Sequence, residues 1–481
     1  MDALIAAVPL VLTLALLMLP LPAWVAPAAG VVAAVVLGIT VLDADPADFT
    51  GAVATGAPTL VEVLAIIGGG ITIARVMERA GAHARIARWL ASGAGPGVAT
   101  ALLMVNGVIP FLETVTGFGV AVIVGLPLLL GLGFTPFRAA VLNLLALAVG
   151  PWGSMSPSIL LGARLGDLDF QQLGVATAVL NVVPVVVASL TAVLLVHRPA
   201  TARRRLWGLS VGLASGVTQA GLMFSANVLV GTAAAGALGT FFTALLWLLI
   251  LRRGRLTPSP GRAVLPYVVL MAGTVVGTAA EQLLPLGAAG PFIGSPATWA
   301  FVGAGVGVAL LEIAREDRRA IPGEAASLWL AVATPAGLYL VLGYALAAGG
   351  HASALATALA GLGAGYLVLA PFLAGISGYI TASNTGAMSM LGPVQMSTGQ
   401  ALGVSTLWMN ALHNSSAGYG IIAGPARLEL AYRISVAAQR AGMEGPVVNR
   451  RNLLMWLVPA VLLTLSVHAL LAALVLPRLS G

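Results

Sequence analysis

The stretch Pro110-Phe111-Leu112-Glu113-Thr114-Val115-Thr116-Gly117-Phe118-Gly119 sets one carboxylate, two hydroxyls and two glycines in the middle of a long apolar region. A second stretch, Pro371-Phe372-Leu373-Ala374-Gly375-Ile376-Ser377-Gly378-Tyr379, repeats its order: Pro-Phe-Leu, three residues, Ser or Thr, Gly, aromatic. In both, the polar residues lead into a run rich in hydroxyls or amides. The two stretches read as the tips of two re-entrant hairpins that meet at mid-membrane and form a transport site.

The surrounding composition requires a membrane setting. The 481 residues are 59% hydrophobic and 8% charged, with a mean hydropathy of +1.01. A soluble domain of this length carries about a quarter charged residues. Repeated apolar runs near membrane-spanning length indicate a polytopic helical membrane protein, and the alternation of barrel strands is missing. The net charge is +7, and all 23 basic residues are arginines in place of any lysine. They fall largely in short loops, where they set topology, so no nucleic-acid partner is expected. Without cysteine there is no disulfide, thiol chemistry or Cys-based metal site; no metal or cofactor is expected. The first basic residue is Arg75, so the N-terminal apolar run reads as a retained helix rather than a cleaved signal.

Along the chain, spans are expected at 4–19, 23–41 and 52–76, with an acidic loop at Asp43, Asp45 and Asp48. Arg75, Arg79, Arg85 and Arg88 then mark a cytoplasmic segment, which places the N-terminus outside. Further arginine clusters lie at 198–205, 252–262, 315–319 and 433–451. If all are cytoplasmic, an even number of crossings separates each neighbouring pair. Spans at 137–160 and 173–196, two within 207–251, and others at 264–286 and 297–314 meet that count. The piece 98–132 is cut by Pro110 and the glycines. Its arms of roughly 13 residues make about 20 Å of helix, too short for a hydrocarbon core of about 30 Å. A hairpin entering from the cytoplasm keeps the count even.

The second half repeats the scheme: a span at 325–347, a hairpin at 352–398 entering from outside with its tip near 371–385, and spans at 399–423 and 453–476. Two full crossings at 352–398 also satisfy parity. The expected fold is therefore an all-α polytopic membrane protein of about twelve spans and two hairpins. It comprises two inverted-topology repeats, each about five spans plus one re-entrant hairpin. The repeats are 1–200 and 263–481, and a two-span linker occupies 201–262. Secondary carriers of this architecture bind substrate where broken helices from the two repeats meet. The likeness of the halves continues past the hairpins, in Gly131-Leu132-Gly133-Phe134-Thr135 and Ala401-Leu402-Gly403-Val404-Ser405.

Non-helical backbone survives in lipid only when buried in protein or lining a water-filled cavity. Helix starts at the tips, freed by Gly117 and Gly119, carry partial positive charge and suit an anion. Thr114, Thr116, Ser377, Ser383, Asn384 and Thr385 add neutral donors and acceptors. Downstream, Asn410, His413 and Asn414 recur at helical spacing, extended by Ser415 and Ser416. The matching helix of the first half carries Asn143 and breaks at 150–154, with Ser154 and Ser156 at and beyond the break. An isolated ionised carboxylate is costly in this setting, so Glu113 is expected to be protonated or partnered. A protonated Glu113 beside a bound carboxylate lets proton and anion travel as a nearly neutral unit. Against this stand a capping role or a pair with Arg138. His413 is either a proton shuttle or a packing residue. Any one Ser, Thr or Asn taken singly reads as interhelical glue. No phosphate loop, zinc motif or nucleophile elbow appears, so an enzyme is not expected.

At these residues the chain resembles the L-lactate permease family. The match runs through Phe111-Leu112-Glu113, Thr116-Gly117-Phe118-Gly119 and Gly131-Leu132-Gly133-Phe134, then Pro136 and Ala139-Ala140. It resumes at Ser383-Asn384-Thr385 and Asn414-Ser415-Ser416. The resemblance implies uptake of lactate and related 2-hydroxymonocarboxylates with protons across a bacterial inner membrane. It also implies kinship with carriers that have hairpin-bearing inverted repeats, often form homodimers, and move a transport domain past a scaffold. The chain departs from the family at three places, one of them His413, which stands where the family usually has a small residue. Ala382-Ser383-Asn384-Thr385 stands where the family pattern has Gly-Ser-Asp-Thr, which loses an acid. Gly420-Ile421-Ile422 stands where the family has a Gly-Lys step, which loses an anion partner. The Ser-Asn-Thr triplet also looks like the sodium-site tips of divalent-anion symporters, and such oxygens suit a hard cation, so sodium coupling is a second expectation.

Overall fold

The computed structural model describes residues 2–91, 95–117, 119–197, 201–253 and 260–479. Phe118, Arg198 and Arg255, used above, lie outside the described residues. Within them the chain is helical and contains no strand, as an apolar chain must be when its backbone groups have to bond within each segment. Among the described residues, ten helices are long and apolar enough to cross a membrane, or eleven if the bent pair Gly287–Gly294 and Pro296–Leu310 is one span. Against the expected twelve spans and two hairpins, this count includes Val98–Thr116 and Ala364–Thr381, the first arms of the two expected hairpins. Asp2–Leu17 and Val25–Val41 are short, and 399–423 is not one helix. Asn384–Ala401 ends there, and Thr406–Gly420 starts afresh after a turn.

Two long helices, Pro46–Arg79 and Arg315–Ala348, run antiparallel. Tyr344 Oη donates to the Gly56 carbonyl (3.4 Å), the Trp329 indole donates to the Leu64 carbonyl (2.9 Å), and Arg79 pairs with Asp317 (2.7 Å) and with Glu324. The arginine-bearing segments collect at this last end of the molecule. The Arg252 guanidinium bonds the Trp89 carbonyl, and the His83 ring meets Tyr267 Oη at 2.8 Å. Gly445 packs on Thr135. Ala202–Leu229 joins the same end, because it runs antiparallel to Thr232–Leu251 through Ser215–Trp247 and Met223–Gly239 contacts.

The chain turns later than either Pro-Phe-Leu suggests. Val98–Thr116 is one apolar run of 19 residues, and Pro110 lies inside it. A π-turn at Met104–Val108 widens the helix just ahead of the proline, where an N–H is missing. The turn comes at Gly117 and Gly119, with φ of +60° and +88°. Val120–Gly131 then packs back along the first arm, with Gly125 against Ile109 and Gly133 against Pro96. Both ends of this helical pair open at the arginine end.

The second pair is Ala364–Thr381 and Asn384–Ala401, joined at Ala382 (φ +50°) and Ser383. It starts later than the expected 352, because His351–Ala360 is a separate helix. The His351 ring bonds the carbonyls of Ala6 (3.3 Å) and Ala34 (2.8 Å). Tyr366 Oη donates to Gln395 Oε1 (3.1 Å), and Gln395 Nε2 donates to the Ala370 carbonyl (2.9 Å), which keeps the arms side by side. This pair opens at the opposite end, beside the helix that follows Ala348. Gly117 follows Pro110 by seven residues, but Ala382 follows Pro371 by eleven. The second arm thus carries about one extra helical turn, and Ser377 and Gly378 sit inside it.

Both second arms end alike. Phe134 and Gly133 N–H donate to the Leu129 and Leu130 carbonyls; Val404 and Gly403 N–H donate to the Gly399 and Gln400 carbonyls. Gly133 and Gly403 take positive φ, as this cap requires. Each half then has a broken helix. Pro136–Leu145 tightens into Ala146–Trp152, breaks at 153–156 and restarts at Pro157–Leu165. Thr406–Gly420 tightens into Ile421–Ala423, breaks at Gly424 and restarts at Pro425–Arg440. The two cross at Gly150 and Gly418, where a Cβ on Gly150 would lie 2.7 Å from the Gly418 carbonyl oxygen.

The arm Ala364–Thr381 makes a similarly close contact. A Cβ on Gly378 would sit 2.0 Å from the Ala417 carbonyl oxygen, so backbone would have to move. Gly378→Ala is expected to cost about 1–3 kcal/mol through overpacking, read as a lower melting temperature in detergent. Gly365→Ala on the same helix meets nothing within 4 Å and is expected to leave it unchanged. Equal behaviour of the two variants would remove this contact from the packing account.

Candidate functional site

The two turns and the two helix breaks converge on one cavity of about 330 Å³. Glu113 and Gly119 come from the first pair, and Gly150, Gly153, Pro157 and Ser158 from the first broken helix. Thr381, Ala382, Ser383, Asn384 and Thr385 come from the second turn, and Ala426 and Arg427 from the restart of the second broken helix. Tyr339 of Arg315–Ala348 closes one wall. Four helices begin here: Val120–Gly131, Pro157–Leu165, Asn384–Ala401 and Pro425–Arg440. First-turn N–H groups have no partner within their own helix, and the helix dipole places partial positive charge at each start. These partial charges favour negative charge in the cavity.

Among the described residues, the cavity lining holds an ion pair that joins the two halves. Arg427 Nη2 donates to Glu113 Oε1 at 3.3 Å, and both residues are buried, at 9% and 5% exposure. Glu113 Oε2 and Arg427 Nη1 have no partner. Nη1 lies beside Gly119, where a Cβ would approach to 3.1 Å. Burying two charges carries a large desolvation cost, which a single hydrogen bond of this length offsets only in part. Each partner retains capacity for a third group. Beyond Arg427 the same helix carries a second ion-pair cluster. Two residues on, Glu429 accepts from Arg450 (2.8 Å) and Arg433 (2.7 Å). Arg450, then Arg433, holds that carboxyl down from 4.5 to about 2. The clamp's contribution is thus complete above the unfolded value and lost only as pH falls through about 2.

Arg427 corrects one expectation: Glu113 pairs with it, not with Arg138. Where the family's Lys step is absent, the cavity lining still includes a cation, an arginine lying before the 433–451 cluster. Its signal was an arginine just after Gly424-Pro425, at a helix start next to apolar chain and ahead of the loop charges. Ser158, Thr381 and Tyr339 were likewise not singled out.

Among the expected residues, Glu113, Gly119, Ser383, Asn384 and Thr385 line the cavity. Asn384 Nδ2 donates to Ser158 Oγ (2.9 Å) and to Asn414 Oδ1 (3.3 Å). Asn414 Nδ2 donates to Asn410 Oδ1 (3.0 Å), and Asn410 Nδ2 donates to the Gly162 carbonyl (2.7 Å). Asn410 and Asn414 thus connect to the cavity through Asn384. Ser383 Oγ caps the arm by accepting from Gly386 N–H (3.1 Å).

The remaining residues are placed elsewhere. Thr114 and Thr116 donate to their own turn, at the Phe111 (2.8 Å) and Leu112 (2.6 Å) carbonyls, and Ser377 to the Ala374 carbonyl (2.7 Å). Ser156 donates to the Thr232 carbonyl (3.2 Å), Ser415 to Asn181 Oδ1 (3.2 Å), and Ser416 meets His468 Nδ1 (2.8 Å). Gly117 packs against Ser154. Ser154 and Met155 N–H donate to the Glu113 (2.9 Å) and Thr114 (2.8 Å) carbonyls, so backbone, not the serine hydroxyl, ties the helix break to the first arm. His413 is buried, is not among the residues lining the cavity, and bonds no other side chain. These hydroxyls are taken up by their own turns or by neighbouring helices.

The family model for L-lactate permease matches residues 2–253 and 268–476. No curated protein matches the chain. Lactate permeases are transporters rather than enzymes, and the apolar helices described above fit a multi-pass membrane protein. From the match over nearly its whole length, the chain belongs to the L-lactate permease family.

Proposed function

We propose that this protein carries lactate, or a related 2-hydroxymonocarboxylate, together with a proton across the bacterial inner membrane by alternating access. The observation that carries the reading is the half-satisfied Glu113–Arg427 pair in a cavity onto which four helix starts converge. In the empty cavity the Glu113 carboxylate occupies Arg427. A substrate carboxylate added to an ionised Glu113 would leave two anions on one guanidinium, an uncompensated buried charge. A proton on Glu113 removes that excess and frees Arg427 for the substrate. The empty pair and the fully loaded cavity then carry the same balanced charge, whereas proton alone or anion alone does not. Movement through the bilayer is cheap only for the balanced states, which couples one proton to one monocarboxylate.

The architecture supports alternating access. The two helical pairs open at opposite ends yet turn at the same cavity, and the broken helices cross at Gly150 and Gly418. This supports reading 1–200 and 263–481 as inverted repeats with a linker at 201–262. The long antiparallel helices serve as the scaffold, and the hairpins move past them in elevator fashion. With the arginine end cytoplasmic, the N-terminus lies outside.

Proteoliposomes test the reading. An acidic exterior without sodium is expected to drive accumulation of labelled lactate that a protonophore abolishes. Accumulation that requires sodium instead would replace the proton, and product formed without any gradient would replace transport with catalysis.

A further inference from the structure

Asn384 presents a feature that monocarboxylate transport does not by itself require. Its side chain is 6% exposed at the cavity wall, and its Oδ1 has no donor. The neighbours explain why. A side-chain amide offers two N–H groups and one oxygen, and its orientation follows from what surrounds it. The chain of amides ends on the Gly162 backbone carbonyl, which can only accept. Asn410 must therefore turn its NH2 to that carbonyl (2.7 Å) and its oxygen to Asn414 (3.0 Å). Asn414, having given its NH2 to Asn410, turns its oxygen to Asn384 (3.3 Å). The second N–H of Asn384 goes to Ser158 Oγ (2.9 Å), whose own hydrogen goes to the Pro151 carbonyl (3.2 Å). Both donors of Asn384 are thus used. Reversing it would set its oxygen against the Asn414 oxygen, acceptor against acceptor.

We infer that Asn410 and Asn414 are positioning residues that hold Asn384 as a hydrogen-bond acceptor, so that the cavity favours an acid with a hydroxyl beside its carboxylate over the 2-oxo analogue. The inference rests on the monocarboxylate reading above. A 2-hydroxyl donates to Asn384 Oδ1. A 2-oxo group brings lone pairs to lone pairs, and an unsubstituted acid leaves the buried acceptor unpaired, which is the costly case. The Tyr339 hydroxyl, also without a partner on this wall, donates or accepts equally well and so serves both ligands. Asn410 and Asn414 stand one turn apart on one helix face. Asn384 comes from the second helical pair, and Ser158 and Gly162 from the first half of the chain. The selectivity is therefore set by the docking of the two halves.

Displacement of labelled lactate from the full-length protein in nanodiscs, by lactate, pyruvate and propionate, tests this. In the parent, pyruvate and propionate are expected to bind at least about tenfold more weakly than lactate. Asn414→Leu removes the acceptor that holds Asn384, so its amide can rotate. Pyruvate affinity is then expected to rise and the lactate-to-pyruvate preference to fall about tenfold. Asn414→Gln, which keeps both the acceptor for Asn384 and the donor for Asn410, is expected to preserve the preference. The milder Ser158→Ala frees one N–H and is expected to raise pyruvate affinity several-fold (roughly the worth of one hydrogen bond), which covers a poorly folded leucine variant. If the variants weaken all three ligands by one factor, their role is only structural and the inference falls. Lactate binding without preference in the parent also overturns it, while absence of lactate binding overturns the monocarboxylate reading and this inference together.

Discussion

Replacing Arg427 with alanine is expected to abolish lactate binding, and with it both gradient-driven uptake and lactate–lactate exchange. Arg427 is the cation among the described residues that lines the cavity, and the substrate carboxylate has no other full positive charge there. Removal of one partner also strands Glu113, and an unpaired buried charge costs about 3–5 kcal/mol. The variant should therefore be less stable as well as inactive. The double variant Glu113→Gln with Arg427→Ala separates the two effects. Stability should return, because no buried charge is left alone, while binding should stay lost by on the order of a hundredfold or more, as for truncation of a buried charged partner. Thermal denaturation in detergent and equilibrium lactate binding read the two quantities. Binding retained in the double variant would take the anion away from Arg427.

Glu113→Gln is expected to separate the proton from the substrate. Glutamine resembles the protonated acid in shape and charge, so Arg427 is left permanently available to a carboxylate. Exchange across the membrane should persist, and lactate binding should no longer strengthen as pH falls. Accumulation against a gradient should disappear, because the empty carrier would return with an unbalanced guanidinium. Counterflow and pH-jump uptake in proteoliposomes distinguish these modes. Undiminished accumulation in this variant would assign the proton to another group. His413, the other titratable residue considered, is buried, does not line the cavity and bonds no side chain, so it has no path to the substrate charge comparable to Glu113.

Some of this was legible in the residues alone. Composition required a helical membrane protein, because a chain with so few charges cannot cover a soluble surface. Arginine placement required the clusters to share one end, and the contacts of Arg79, Arg252 and Gly445 put them there. Glu113 and Asn384 stood out as polar groups in apolar surroundings beside residues that permit a turn, and they line one cavity. The helix break near Gly150–Ser156 was signalled by glycine and proline.

What sequence could not decide was rotation and reach. Pro110 and Pro371 looked like turns, yet both lie within arms, because a π-turn or a tolerant helix absorbs one missing N–H when neighbouring helices bury it. Thr114, Thr116 and Ser377 lie within a few residues of the turns yet spend their hydroxyls on their own carbonyls. Which face of a helix meets a cavity depends on packing against partners far along the chain. The pairing of Glu113 with Arg427 spans 314 positions, and the orientation of Asn384 is set by a carbonyl on another helix. A sequence states which groups are expensive to bury; only the docked halves state which of them are brought close enough to relieve one another.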